Sequence, residues 1–198
     1  MTAPLLDAAG LERFVRDARA AGRTIAFTNG VFDILHPGHL RYLQAARSHA
    51  DLLIIGLNSD ASVRRNKGPS RPINPQDERA EVLGALGCVD AVSIFDDDTP
   101  ADIIRRVQPD ILVKGADWPA NQIVGRDTVE ARGGKVILER VEQGYATTAI
   151  IEKIRRLCRA ARRSRTAARP RIGGRRNQDA RGSAGSSTPS RSPRSAPP

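Results

Sequence analysis

The sequence predicts an α/β fold, a Rossmann-like three-layer sandwich in which helices cover both faces of a mainly parallel five-stranded sheet. Short apolar runs alternate with amphipathic stretches along residues 1–158, and this alternation is typical of repeated strand–helix–strand units. Several runs are apolar at successive positions, which indicates strands buried on both faces of the sheet. A chain of 198 residues has room for one core of ordinary size.

The strands and helices follow each other in a regular order. Strands are predicted where a compact apolar run ends abruptly, at residues 25–27, 51–57, 91–95, 110–113 and 135–138. Helices are predicted where apolar residues recur at spacings of three and four, at residues 5–21, 37–50, 60–65, 74–86, 99–107, 128–132 and 147–157.

Local signals set the helix starts and faces. Asn74 and Thr99 are predicted N-caps, because each precedes a proline suited to the first helical position. In the second helix we expect one core-facing side, formed by Leu40, Leu43, Ala46 and Ala50.

The segment after the first strand carries the main functional signal. A loop, TNGVFD at residues 28–33, is followed by HPGH at residues 36–39, which opens the second helix. His36 and His39 lie three apart on one helix face, beside backbone N–H groups that have no helical partner. Gly38 lets a phosphate approach the backbone. The alternative is that His36 only caps the helix and His39 is a surface residue, but the pair around a glycine favours phosphate chemistry.

Other loops at strand ends add candidate ligand residues. Lys67, Arg71 and Arg79 are three cations around one turn and the following helix, where phosphoryl chemistry needs positive charge. Lys114 and the residues after it follow an apolar strand, at the edge of the sheet where Rossmann-like folds bind ligands. The only tryptophan, Trp118, is either a packing residue or a wall of the acceptor pocket. Thr147 and Thr148 open a helix, and either capping or nucleotide contact explains them.

These residues carry a resemblance. GVFDILHPGH at residues 30–39 resembles the GxFDxxHxGH motif of the cytidylyltransferase-like nucleotidyltransferases. With KGPSRPINPQDERAEVLGAL, DILVKGADW and GYATTAIIEKI, it is similar to the adenylyltransferase half of the bifunctional heptose kinase/adenylyltransferases. The resemblance implies transfer of AMP from ATP to a D-glycero-D-manno-heptose 1-phosphate, giving ADP-heptose and pyrophosphate by in-line displacement at phosphorus.

The resemblance also assigns site residues. His36 and His39 would stabilise charge at the α-phosphorus, Lys67 would neutralise phosphate oxygens, and Arg79 would hold the triphosphate or sugar phosphate. The expected catalytic residues are His36, His39, Lys67 and Arg79. Nucleotide binding is expected from Thr28, Asn29, Gly30, Val31, Phe32, Asp33, Gly38, Lys114, Gly115, Thr147 and Thr148, and substrate binding from Arg71, Asp117 and Trp118. Mg²⁺ is expected to be bound mainly by the ATP phosphates, with no metal site formed by the protein.

The family resemblance leads to expectations about partners. The kinase half of that family has no counterpart here, so we expect a separate sugar kinase upstream, and relatives suggest a homodimer. Ala146 replaces the usual serine before the threonine pair, which removes one hydroxyl. Cytidylyltransferases for glycerol phosphate or ethanolamine phosphate and FMN adenylyltransferases are the alternatives with the same motif. A catalytically inactive sugar-nucleotide sensor is another.

Charge is concentrated at the carboxyl terminus. The net charge of the chain is +10, and residues 159–198 alone hold eleven Arg and one Asp. We expect this Arg-, Ser- and Pro-rich tail to be disordered. It has no aromatic residue for base stacking, so we do not favour a nucleic-acid-binding function. A secretory signal and a bilayer-spanning run are not evident, and we expect a cytoplasmic protein with no membrane partner.

Overall fold

The predicted sheet is present and fully parallel. The computed structural model describes residues 2–116, 119, 122–140 and 144–167. The strands are β1 (Ile25–Gly30), β2 (Leu52–Asn58), β3 (Ala91–Phe95), β4 (Ile111–Gly115) and β5 (Lys135–Glu139). They form one sheet in the order β3-β2-β1-β4-β5, and each neighbouring pair is parallel. The predicted fold class is confirmed.

Helices join and cover these strands. They are α1 (Ala8–Ala20), α2 (Pro37–Ser48), α3 (Asp60–Lys67), α4 (Gln76–Gly84), α5 (Ala101–Val107), α6 (Arg126–Glu130) and α7 (Thr147–Ala167). The N-cap positions of α4 and α5 are Pro75 and Pro100, without a side-chain capping bond. The predicted caps Asn74 and Thr99 are therefore one residue early, a common error at helix ends.

Two hydrophobic clusters lie on opposite faces of the sheet. Successive residues of one strand contribute to different clusters, because side chains alternate along a strand. On β1, Ile25 and Phe27 join the cluster that contains Leu11 of α1 and Ile104 of α5. Ala26 joins the cluster that contains Leu43 of α2. Burial on both faces explains why the central strands are apolar at every position.

One predicted core residue is wrong. Leu40 is 39% exposed, whereas Leu43 and Ala46 are fully buried. The inward line of α2 continues from Ala46 and Leu43 back to His39, four residues before Leu43. Leu40 lies beside this line. The inward position in the first turn is therefore taken by a histidine of the proposed site.

The last helix is longer than predicted. α7 continues to Ala167, nine residues past the expected end of the globular domain at residue 158. Arg and Ala, which dominate these residues, are among the best helix formers. The chain divides into two compact units between Leu157 and Cys158. The rest of the predicted tail, residues 168–198, lies outside the described residues, and its disorder stays a prediction.

The sheet order creates a place for a ligand. The chain leaves β1 through α2 toward β2 and β3 on one side, and β4 and β5 lie on the other side. In parallel α/β sheets, ligands bind outside the carboxyl ends of the strands where the order reverses. Here that point is between β1 and β4.

Of the helices that the structure describes, none is long and apolar enough to span a bilayer.

Candidate active site

The two histidines stack at the start of α2. His36 is the N-cap residue, and its Nδ1 accepts a hydrogen bond of 3.4 Å from the backbone N–H of His39. The two imidazole rings are stacked, with centroids 3.8 Å apart and planes inclined by 20°. His36 therefore caps the helix, as the alternative interpretation expected. His39 is not a solvated surface residue, because its ring is held between His36 and the loop after β1.

Burial keeps the histidines neutral. It lowers the pKa of His36 below its ordinary value. Burial, with a smaller effect from the neighbouring His36, lowers the pKa of His39 to about 4. His39 Nδ1 is buried without a hydrogen-bond partner, a rare state that points to a functional role. At neutral pH the pair can therefore donate or accept hydrogen bonds but carries no positive charge.

The loop before the histidines has a strained backbone. Phe32 has φ of 46° and Ile34 has φ of 50°, both in the left-handed region, which a β-branched residue such as Ile34 rarely adopts. The Phe32 ring contacts His39 edge-on, with centroids 5.6 Å apart. Strained backbone of this kind persists only where surrounding contacts enforce it, and it is frequent at functional sites.

Asp33 makes the contacts that hold this loop, and its position corrects its predicted role in nucleotide binding. Its carboxylate is fully buried and accepts hydrogen bonds from the backbone N–H of Ile73 (2.8 Å) and Asn74 (3.0 Å) and from Arg71 Nε (2.7 Å). Burial raises the pKa of Asp33, but these hydrogen bonds outweigh burial and leave the pKa below its ordinary value. Asp33 thus joins the loop between β1 and α2 to residues 71–74 and does not face the ligands.

Arg79 also differs from its predicted role. Its side chain is 1% exposed and donates to the carbonyls of Asn74 (3.0 Å), Val31 (2.5 Å) and Asn58 (2.9 Å). It also pairs with the Asp60 carboxylate at 2.7 Å. A guanidinium with these partners is not available to a phosphate. Arg79 instead fixes the loops that follow β1 and β2.

A cavity of about 450 Å³ opens at the carboxyl ends of β1 and β4. Six predicted site residues line it: Asn29, Gly30, Val31, Lys67, Lys114 and Gly115. His36 and His39 are not among its lining residues, but Tyr42, one turn after His39 on α2, is. The cavity therefore lies at the switch point, between the cationic residues and the helix that carries the histidines.

The two lysines of this cavity differ in environment. Lys67 is exposed at the end of α3. Lys114, on β4, is largely buried and donates a short hydrogen bond to Asn29 Oδ1. Burial lowers the pKa of Lys114 to about 8. Burial therefore makes the charge of Lys114 costly, and a nearby anion would reduce that cost.

The predicted threonines have structural partners. The Thr28 hydroxyl is buried and lies 2.8 Å from the Tyr42 hydroxyl, which donates to the Val113 carbonyl. Thr147 Oγ1 donates to the Asp33 carbonyl at 2.7 Å, so it connects the start of α7 to the loop between β1 and α2. Thr148 is exposed, and its nucleotide contact stays a prediction.

Gly38 is explained by close packing in this structure. A Cβ at this position would lie 2.9 Å from the Cβ of Tyr145 and 3.1 Å from His36 Nδ1. The Tyr145 ring stacks on the His36 ring at 6.0 Å and receives the Arg41 guanidinium 5.6 Å from its centroid. The α2 N-terminus is thus covered on one side by an aromatic ring.

Sequence reasoning missed several lining residues. Tyr42 could have been found, because it lies three residues after His39 on the same helix face. Other residues give no local signal, because only the tertiary fold brings them to the cavity; they are Asn58, Asn66, Asp98, Pro100, Gln122, Ile123 and Val124. The predicted substrate residues Asp117 and Trp118 lie outside the described residues.

Comparison with known proteins agrees with this geometry. The model of the cytidylyltransferase-like family matches residues 27–156, from β1 through most of the first half of α7. The chain belongs to the cytidylyltransferase-like family. The match includes both histidines and both cavity lysines.

Curated relatives narrow the position within the cytidylyltransferase-like family. The chain is 58% identical over 135 residues to the bifunctional protein HldE of Hyphomonas neptunium, covering 68% of this chain and 28% of that protein. It is 51% identical over 151 residues to HldE of Bradyrhizobium diazoefficiens, covering 76% of this chain and 31% of that protein. The chain therefore spans less than a third of the length of these relatives.

Solved structures agree with the fold. A lipopolysaccharide core biosynthesis protein from Thermoplasma volcanium is 28% identical, with a TM-score of 0.52, over 63% of this chain and all of that one. A pantoate-beta-alanine ligase from Francisella tularensis has a TM-score of 0.53 at 14% identity, over 72% of this chain and 68% of that one, a likeness of fold alone.

Proposed function

We propose that this chain is a nucleotidyltransferase that transfers AMP from MgATP to a D-glycero-D-manno-heptose 1-phosphate and releases pyrophosphate. The observation that carries the proposal is the stacked His36–His39 pair at the α2 N-terminus, near a cavity lined by Lys67 and Lys114. Its setting in a cytidylyltransferase-like domain with HldE relatives at 51–58% identity favours this activity over cytidylyl transfer to glycerol phosphate or ethanolamine phosphate and over FMN adenylylation.

The chemistry follows from charge and position. An oxygen of the sugar phosphate, already ionised near neutral pH, attacks the α-phosphorus of ATP, and the bond to the β-phosphate breaks. Neutral His36 and His39, at the α2 N-terminus, donate hydrogen bonds to oxygens that gain charge. Lys67 and Lys114 supply positive charge from the other side. A strong general base is not needed.

Magnesium enters with the substrate. In the described ranges, no three histidine, cysteine or carboxylate side chains form a cluster that could hold a metal ion, and the Asp33 carboxylate is used within the protein. We propose that the triphosphate is the main ligand of Mg²⁺. A homodimer remains a prediction from the resemblance, and a cytoplasmic location remains a prediction from the sequence.

Pyrophosphate release tests the proposal. We expect turnover with MgATP and a heptose 1-phosphate, and little with MgCTP or glycerol phosphate. His39→Ala should lower kcat about a hundredfold to a thousandfold by removing one transition-state donor, with the thermal unfolding transition retained. Turnover with another nucleotide and acceptor would refute the substrate assignment. A near-normal kcat for His39→Ala would refute the role of the histidines.

A further inference from the structure

α7 has an apolar side on which two large side chains stay exposed in the part of the chain that the structure describes. Ile150, Ile154 and Leu157 lie at spacings of four and three, so they form one line on the helix, of which Ile150 is only partly exposed. Ile154 is 52% exposed and Leu157 is 62% exposed. Among the described residues, no other helix or strand packs extensively against α7. Large aliphatic side chains in a row at the surface mark an interaction site more often than scattered ones do.

The other side of α7 is strongly cationic. Arg155 and Arg156 are exposed on that side, and the exposed Lys153 lies at the edge of the apolar line, three residues after Ile150. Over its whole length, Thr147–Ala167, the helix has seven Lys and Arg against one Glu, a net charge of +6. The neutral balance of residues 1–158 shows that this charge is local and is not a general property of the domain.

The apolar line and the cationic side of α7 together decide between possible partners. A second copy of α7 would cover the apolar line but would bring two helices of charge +6 together. A nucleic acid would satisfy the charge but would leave the aliphatic line exposed, and α7 has no aromatic residue on which bases could stack. A surface that is both anionic and apolar satisfies both sides.

We propose that α7 binds the surface of an anionic lipid bilayer, with Ile154 and Leu157 inserted at the headgroup level and the basic side chains at the lipid phosphates. Helices with an aliphatic face and a polar face rich in Lys and Arg bind membranes in this way. Peripheral binding of this kind revises the expectation of no membrane partner, which considered only segments that span the bilayer. It is independent of the proposed activity.

Vesicle sedimentation tests the proposal on the full chain. We expect the protein to sediment with vesicles of phosphatidylcholine that contain about 30% phosphatidylglycerol, and not with phosphatidylcholine alone. Ile154→Gln with Leu157→Gln should weaken binding about tenfold or more, because glutamine keeps helix propensity and removes apolar surface. The matched control is Val82→Gln on α4, which changes an apolar residue of similar exposure, 50%, and should leave binding unchanged.

The other outcomes would overturn the proposal. Absence of sedimentation with anionic vesicles would do so directly. Equal binding by the double variant would show that charge alone is responsible. A dimer seen by analytical ultracentrifugation without lipid, and lost in the double variant, would assign the apolar line to a second copy. Binding to RNA or DNA that the double variant retains, without vesicle binding, would assign the charge to nucleic acid. Circular dichroism establishes that the variants remain folded.

Discussion

Replacing Arg79 with lysine separates a structural role from a phosphate-binding role, because lysine keeps the charge and loses the planar set of donors. In the structure, Arg79 donates hydrogen bonds to the carbonyls of Val31, Asn58 and Asn74 and to the Asp60 carboxylate. A lysine can still pair with Asp60 but leaves carbonyls unsatisfied in a site that is 1% exposed. Each unsatisfied buried acceptor costs about 1–3 kcal/mol, so with partial relaxation we expect a loss of about 3 kcal/mol in the free energy of unfolding.

Arg79→Met should cost more, about 3–5 kcal/mol, because it also leaves Asp60 without its partner. A typical domain has only about 5–15 kcal/mol of stability, so urea unfolding followed by circular dichroism will resolve both losses. The matched control is Arg64→Lys at an exposed position of α3, which should change the unfolding free energy by less than about 0.5 kcal/mol. An Arg79→Lys variant as stable as the wild type, but with a raised KM for ATP, would contradict the structural role and restore the predicted contact with phosphate.

Two further predictions concern ionisation. Because burial lowers the pKa of Lys114 to about 8, and because the charged form binds phosphate, kcat/KM should fall as pH rises through about 8. Lys114→Arg should extend the plateau of kcat/KM to higher pH. An unchanged pH profile would exclude Lys114 as the group whose ionisation sets this fall. The pKa of Asp33 lies below its ordinary 3.8, so the stability from its carboxylate is present above that pH and is lost as pH falls through the lower folded pKa. Asp33→Asn should lower the free energy of unfolding by about 1–3 kcal/mol at neutral pH and flatten its acid dependence, measured by urea unfolding between neutral pH and about pH 2. An equally stable variant with an unchanged acid slope would contradict the hydrogen bonding seen for Asp33.

Several features of the site were predictable from short stretches of sequence. The strand, loop and helix around HPGH and the placement of His36 and His39 on one helix face depend on local sequence patterns. The place of Lys114 at the carboxyl end of its strand follows from the rule that parallel strands present their carboxyl ends together. Asn29 and Gly115 were expected at this edge of the sheet for the same reason, and the structure has both at one cavity with Lys67, which ends α3.

The partners of the buried charges were not predictable in this way. Asp33 has its partners 38 to 41 residues away, and Arg79 reaches a carbonyl 48 residues away. A sequence motif shows that a charged residue lies near the site, but not whether its charge faces a ligand or is neutralised within the protein. Leu40 was misplaced for a related reason, since helical spacing fits more than one inward line and only packing against the sheet selects His39, Leu43 and Ala46.

The sequence by itself therefore determined the fold class, the position of the loop after β1 and the histidines at the helix start, because these depend on patterns within one strand–helix unit. Only the tertiary structure decided that Asp33 and Arg79 hold the loops together and that the cavity lies between β1 and β4. It also decided that the apolar line of α7 stays exposed. Burial is the physical reason, because it depends on which distant segments meet, and it determines whether a charged or apolar group is used inside the protein or remains available to a partner.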